Sequence, residues 1–250
     1  MDIIQSLWIG DELSIMEQLS IKSFLYHGHE YHLYTYGSIK NIPDGTTVKD
    51  ANEIVPENKI FRYKNGSVSA FSNYFRFKLL YLKGGYWADT DLICVRPIKI
   101  DQLYVISSEP IDKNYNEKTI NAGLLKFPKE SQSALHGFAL QKLIKKKIKN
   151  GEIEWQGGPL IVKKIVELYD LEKYVLPWVG ISSCGWFDAV SIVDEKYKCN
   201  PKVIKNLDNI PENMYGIHLW NEVWRRKGLD KNKNYNPNSL YELLKKKYLF

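Results

Sequence analysis

The sequence predicts an α/β fold, a Rossmann-like mixed sheet flanked by helices. Three observations carry this. The chain opens strand–helix–strand, the βαβ unit that starts nucleotide-binding sheets. An amphipathic helix at 70–83 then passes through a glycine pair into an apolar strand. Further apolar runs alternate with helical ones toward the C-terminus. The 250 residues suit one large domain or two small ones. No repeat, linker or composition break divides them, so 1–250 is read as a single domain. A basic helix at about 239–250 is expected to pack on it or at its edge.

The elements follow in order. "IIQSLWI" (3–9) reads as a buried strand. In 13–28, Ile15, Leu19 and Phe24 recur at helical spacing, and Gly28 stops the helix. "YHLYTY" (31–36) is the second strand. Residues 37–68 look loop-rich, with Pro43, Gly45, Pro56 and Gly66. The helix at 70–83 carries a core stripe of Phe71, Phe75, Leu79 and Leu82, with Gly84 as its stop. Strands are expected at 86–95, 103–108 and 119–127. The helix at 133–150 ends in the run Lys145–Lys149. Cations near a helix C-terminus are favourable, so this run is read as a solvated face. A helix at 160–170, a strand at 214–220 and the helix at 239–250 complete the chain.

Composition excludes little. Charged residues are 26% and hydrophobic residues 44%, an ordinary soluble mix. No apolar run approaches the roughly 20 residues that span a bilayer. The N-terminus lacks the basic and apolar regions of a secretory leader. Cys94, Cys184 and Cys199 show no C-x-x-C spacing and are odd in number. They are read as reduced thiols, which points to a cytoplasmic protein. The net charge of +6 suits phosphate-bearing ligands, anionic membrane surfaces or nucleic acid equally.

The chemistry concentrates in "GGYWADTDLICVRP" (84–97). Asp89 and Asp91 would repel unless a cation lies between them. A solvated surface turn is the alternative, but apolar flanks on both sides argue against it. From Arg76 the helix runs about 10 Å to Lys83 at about 1.5 Å per residue. Gly84 and Gly85 permit a tight reversal. The strand then returns over a similar distance, so Asp89 arrives near Arg76. Asn73 lies one turn earlier on the same helical face. A divalent cation on carboxylate oxygens could bridge to a diphosphate, with Arg76 and Asn73 contacting phosphates or sugar hydroxyls.

"FSNYFRFKLLYLKGGYWADTDLICVRPI" resembles the DxD sugar-binding region of GT-A glycosyltransferases. It is similar to the yeast-type α-1,6-mannosyltransferases, the glycolipid α-1,4-glycosyltransferases and the capsular polysaccharide transferases. The matching residues are Ser72, Arg76, Gly84, Gly85, Asp89 and Asp91. Asn73 departs from the pattern, which usually has Asp there and so a charge this chain lacks. "NAGLLKFPKESQ" (121–132), "GGPLIV" (157–162) and "HLWNEVW" (218–224) extend the likeness over about residues 3 to 224.

The resemblance implies a GT-A fold and a retaining transferase using Mn²⁺ or Mg²⁺. Its donor would be a nucleotide-sugar, most often a UDP-sugar. Its acceptor would be a glycan, glycolipid or polysaccharide. Asp89 and Asp91 would hold the metal, with Arg76 and Asn121 beside the reaction. Trp8, Ser72, Asn73 and Arg76 would bind the donor. His218 is a third metal or diphosphate contact, or a satisfied core histidine. Trp220 closes over the donor, or simply packs. Trp8 holds the base, or fills the core. Asn121 is an acceptor-side group, or a strand-end turn residue. His27, His29 and His32 do not converge and are read as surface residues.

Two other classes compete. A two-metal phosphohydrolase or nuclease would want additional carboxylates and often a positioned base, and no further acidic cluster is seen at strand ends. A nucleic-acid or membrane-surface module would rest on the basic helices. Nucleic acid is not expected as a partner, whereas peripheral membrane contact through those helices stays open. Asn73 also leaves open a non-catalytic pseudo-transferase.

Overall fold

The computed structural model describes residues 3–115, 117–153, 158–195, 207 and 209–250. Cys199 and Gly157 lie outside them. The sheet is built from β1 (Ile4–Leu7), β2 (Tyr31–Thr35), β3 (Thr47–Asp50), β4 (Gly85–Ala88), β6 (Val105–Pro110) and β7 (Lys118–Phe127). Its order is β3-β2-β1-β4-β7-β6. The first four strands are mutually parallel, and β7 runs antiparallel to both β4 and β6. The expected mixed α/β sheet is present. A separate antiparallel pair joins β5 (Leu92–Cys94) to β8 (Gly216–His218).

Strand alternation sorts the cores. Leu7, Tyr34, Trp87, Leu125 and Ile106 face a core shared with α2 (Ser69–Lys83), α3 (Gln132–Lys149) and α4 (Gly158–Leu168). Ile4, Leu33, Tyr86, Leu124 and Val105 face the opposite layer with Ile21 and Phe24 of α1 (Ile15–Tyr26). A third core gathers Ile93 and Ile217 with Trp224 of α5 (Asn221–Lys227) and Leu240, Tyr241 and Leu244 of α6 (Leu240–Tyr248). The terminal helix therefore packs into the fold. Ser14 caps α1 with a reciprocal bond to Glu17, and the buried Glu17 is paired by Lys231 at 2.5 Å.

Several expectations need correction. The apolar run 86–95 is two strands in two sheets, broken at residues 89–91. The turn there hands the chain from the large sheet to the small one, so Asp89 closes β4 and Asp91 opens β5. The stretch 37–68 holds an edge strand, β3, whose half-exposed side chains hide its pattern. His29 and His32 are buried, not surface residues. His29 Nε2 accepts the Ile98 N–H at 3.0 Å, and His32 pairs with Glu30 at 2.6 Å. Within the lysine run, Lys145 lies over the rings of Phe61 and Tyr74, each at 5.1 Å, so it is not simply solvated. Cys94 and Cys184 are free and buried. No helix among the described residues is long and apolar enough to cross a membrane.

Candidate active site

The reversal between α2 and β4 has the backbone its glycines allow. Gly84 has φ 68° and Gly85 φ 81°, both in the left-handed region. A Cβ on Gly84 would also come within 2.5 Å of the Lys129 nitrogen. The returning strand brings Asp89 to Arg76. Arg76 Nη2 donates to Asp89 Oδ1 at 2.5 Å, and Nη1 donates to the Ala122 carbonyl at 2.6 Å. The guanidinium lies 4.7 Å from the Trp87 ring centre, and Trp87 Nε1 also donates to Asp89 Oδ1, at 2.8 Å. Arg76 is therefore turned toward Asp89 and does not reach freely into the cleft. Burial works against its charge, and Asp89 and Asp91 oppose that. Asp89 is further fixed by its N–H, bonded to the Gly123 carbonyl at 2.8 Å.

Asp91 belongs to the other sheet. Leu92 pairs with His218 in the β5–β8 register, which sets His218 beside the aspartate. His218 Nε2 lies 3.3 Å from Asp91 Oδ1. The chain then turns sharply at Trp220, whose φ of 61° is left-handed despite its side chain. This starts α5 so that the Asn221 N–H donates to Asp91 Oδ2 at 2.7 Å. The Trp220 ring lies 4.1 Å from the imidazole, and its Nε1 donates to the Cys184 carbonyl at 3.3 Å.

Burial disfavours charge on both His218 and Asp91, but their mutual attraction prevails. It holds the imidazole above its ordinary range and the carboxyl below its own. Asp89, Asp91 and His218 each offer a ligand atom, all within 4.8 Å of one another. Two carboxylates and an imidazole fit a small divalent cation such as Mn²⁺. His218 Nε2 is the ring nitrogen beside Asp91, and Nδ1 is buried with no partner among the described residues.

These groups open onto a cleft of about 750 Å³, lined by Trp8, Ser72, Asn73, Arg76, Asp89, Asp91, Asn121, His218 and Trp220. All nine residues nominated from sequence thus share one cavity. Trp8 is half-buried just past β1, with its Nε1 bonded to the Glu12 carbonyl at 3.0 Å and Lys231 over its ring. Gly158 packs on Asn73. A Cβ there would meet Asn73 Oδ1 at 2.4 Å, so the glycine makes room for the amide. Asn121 Oδ1 accepts the Gly123 N–H at 2.5 Å, and Nδ2 donates to Glu109. Glu109 and the exposed Trp186 also line the cleft, and sequence reasoning missed both. For Glu109, the polar break in "VISSEP" at the end of an apolar strand was the available signal.

Residues 16–114 match the family model described as a glycosyltransferase sugar-binding region containing a DXD motif. That stretch of the chain is similar to a DXD glycosyltransferase region. That region spans from α1 past β6 and holds Asn73, Arg76, Asp89 and Asp91, while Asn121, His218 and Trp220 lie beyond it. Among solved structures, the PaToxG glycosyltransferase aligns with TM-score 0.47 and 14% identity, over 69% of this chain and 71% of that one. The glycosyltransferase GlyE of Streptococcus pneumoniae TIGR4 aligns with TM-score 0.41 and 13% identity, over 70% of this chain and 44% of that one. Its apo form gives TM-score 0.40 and 16% identity, over 67% and 43%. The chain therefore spans under half the length of the GlyE chains it matches. No curated protein matches the sequence.

Proposed function

We propose that the chain is a metal-dependent glycosyltransferase that moves a sugar from a nucleotide-sugar, most often a UDP-sugar, to a carbohydrate acceptor. The observation that carries this is the convergence of Asp89, Asp91 and His218 within 4.8 Å at the wall of a cleft whose DXD region is that of a sugar-binding family. Mn²⁺ or Mg²⁺ held by those three residues would neutralise a diphosphate as charge develops on it. Arg76 and Trp87 orient Asp89, and the Asn221 N–H orients Asp91. Trp8 supplies an aromatic surface for the base, and Ser72 and Asn73 supply hydrogen bonds to the donor.

Retention of configuration is part of the proposal. It rests on the resemblance to families that work with retention, where the departing diphosphate assists deprotonation of the acceptor. Glycan, glycolipid or polysaccharide acceptors rest on the same resemblance, a cytoplasmic site of action on the free thiols of Cys94 and Cys184, and peripheral membrane contact on the basic helices. A panel of nucleotide-sugars with Mn²⁺, scored for donor hydrolysis and calorimetric binding, tests the reading. Binding and hydrolysis of one donor, abolished by EDTA, is the expected result. Nucleic-acid cleavage without any donor binding would replace it with a nuclease.

A further inference from the structure

Glu109 is a carboxylate in the cleft that the cation set does not include. It stands on β6, one strand beyond β7, opposite Thr119 in the register. Its side chain is held by a directed chain of hydrogen bonds. Asn121 Oδ1 accepts from the Gly123 N–H at 2.5 Å and lies 3.3 Å from the Ser107 hydroxyl. The Gly123 backbone N–H can only donate, which fixes Oδ1 as the acceptor on that side. The amide therefore has one orientation, with Nδ2 toward Glu109 Oε2. Glu109 Oε1 makes no hydrogen bond among the described residues, and in this half-buried side chain it is not completely enclosed.

A carboxylate fixed by one oxygen, with the other bare in a cleft, is an acceptor waiting for a donor. It lies outside the group of atoms that could share the cation, so metal ligation does not explain it. A sugar offers hydroxyl donors. Resting on the transferase reading above, we propose that Glu109 is a substrate-contacting residue. Its Oε1 accepts a hydrogen bond from a hydroxyl of the sugar in the cleft, and Asn121 is its positioning residue. That hydroxyl comes either from the donor's sugar ring or from the nucleophile, which is water in donor hydrolysis.

Glu109→Gln is the informative variant. Asn121 Nδ2 would keep the amide oxygen, so the cleft-facing atom changes from acceptor to donor. The experiment compares parent, Glu109→Gln and Asn121→Ala for hydrolysis of the nucleotide-sugar the parent turns over, and for calorimetric binding of the free nucleotide diphosphate with Mn²⁺. A hydrogen bond to a charged group predicts a loss on the order of 10-fold or more in kcat/KM for Glu109→Gln. A smaller loss is expected for Asn121→Ala, with nucleotide affinity kept in both. A rise in KM assigns the hydroxyl to the donor sugar, and a fall in kcat assigns it to the nucleophile. Unchanged hydrolysis, or nucleotide affinity lost in step with it, would make Glu109 a structural prop and overturn the proposal. A parent that binds no nucleotide and hydrolyses no donor would instead overturn the transferase reading beneath it.

Discussion

Arg76 and Asp89 are joined by a 2.5 Å bond across the reversal from α2 into β4, with the arginine buried and the aspartate at the cleft wall. A buried cation thus fixes one oxygen of the first DXD carboxylate. Removing the arginine leaves Asp89 without its charged partner and opens a hole against Trp87. Arg76→Ala should lower stability by about 3 kcal/mol, the low end for a broken buried pair because Asp89 is part-exposed. Urea denaturation measures this. Activity should fall together with stability, and Arg76→Lys should restore neither fully, because a point charge cannot serve both Asp89 and the Ala122 carbonyl. A stable, active Arg76→Ala would show that Asp89 needs no such support.

Asp91→Asn keeps an oxygen for the Asn221 N–H, so the fold should survive. Its cation affinity should drop by more than about 100-fold, beyond the usual cost of altering groups around a metal site. Calorimetric titration with Mn²⁺ reads this directly. Undiminished metal-dependent turnover would remove Asp91 from the site.

His218→Ala should raise the Mn²⁺ concentration for half-maximal activity by about 10–100-fold while leaving activity recoverable at high metal. An unchanged requirement would return His218 to a packing role beneath Trp220.

Gly158→Ala would drive a methyl to within 2.4 Å of Asn73 Oδ1. Donor affinity should weaken because the amide must move. Asn73→Asp, in the same pocket, should shift donor preference or raise turnover. If neither variant changes nucleotide-sugar kinetics, Asn73 does not touch the donor.

The His27 imidazole packs against Tyr248 of α6, with Nε2 3.2 Å from the phenol oxygen. Burial, followed by the positive charges of Lys247, His29 and Arg96, lowers its pKa from 6.5 to about 4. Above pH 6.5 it is neutral whether the chain is folded or not. As pH falls from 6.5 to about 4, the unfolded chain takes up a proton that the folded one resists, so stability declines across that window and levels off below it. Thermal melts from pH 7.5 to 4 should show this slope, flattened in His27→Asn. Equal slopes in both proteins would assign the acid sensitivity elsewhere.

Much of this site could be read from local chemistry. The glycine pair, the helix length to Arg76 and the strand rise back to Asp89 fix one distance between them, and the observed bond closes it. What could not be read depends on neighbours far along the chain. Asp91 is oriented by Asn221, 130 residues away. Glu109 enters the cleft only because β6 pairs at the edge of β7. His29 is buried because a backbone N–H at Ile98 needs an acceptor, which no local pattern announces. β3 escaped notice because an exposed edge strand carries little hydrophobic alternation.

The turn at residues 89–91 also has a mechanical consequence. Asp89 is tethered to the large sheet through Gly123 and Arg76, whereas Asp91 is tethered to the small sheet through Leu219 and Asn221. The junction between the two sheets therefore passes between the two carboxylates. An ion seated there would act as a rivet. Its arrival and departure would be felt as stiffening and loosening along the whole joint, from the end of α2 to the start of α5, so a substrate that brings its own metal would also lock the walls that enclose it.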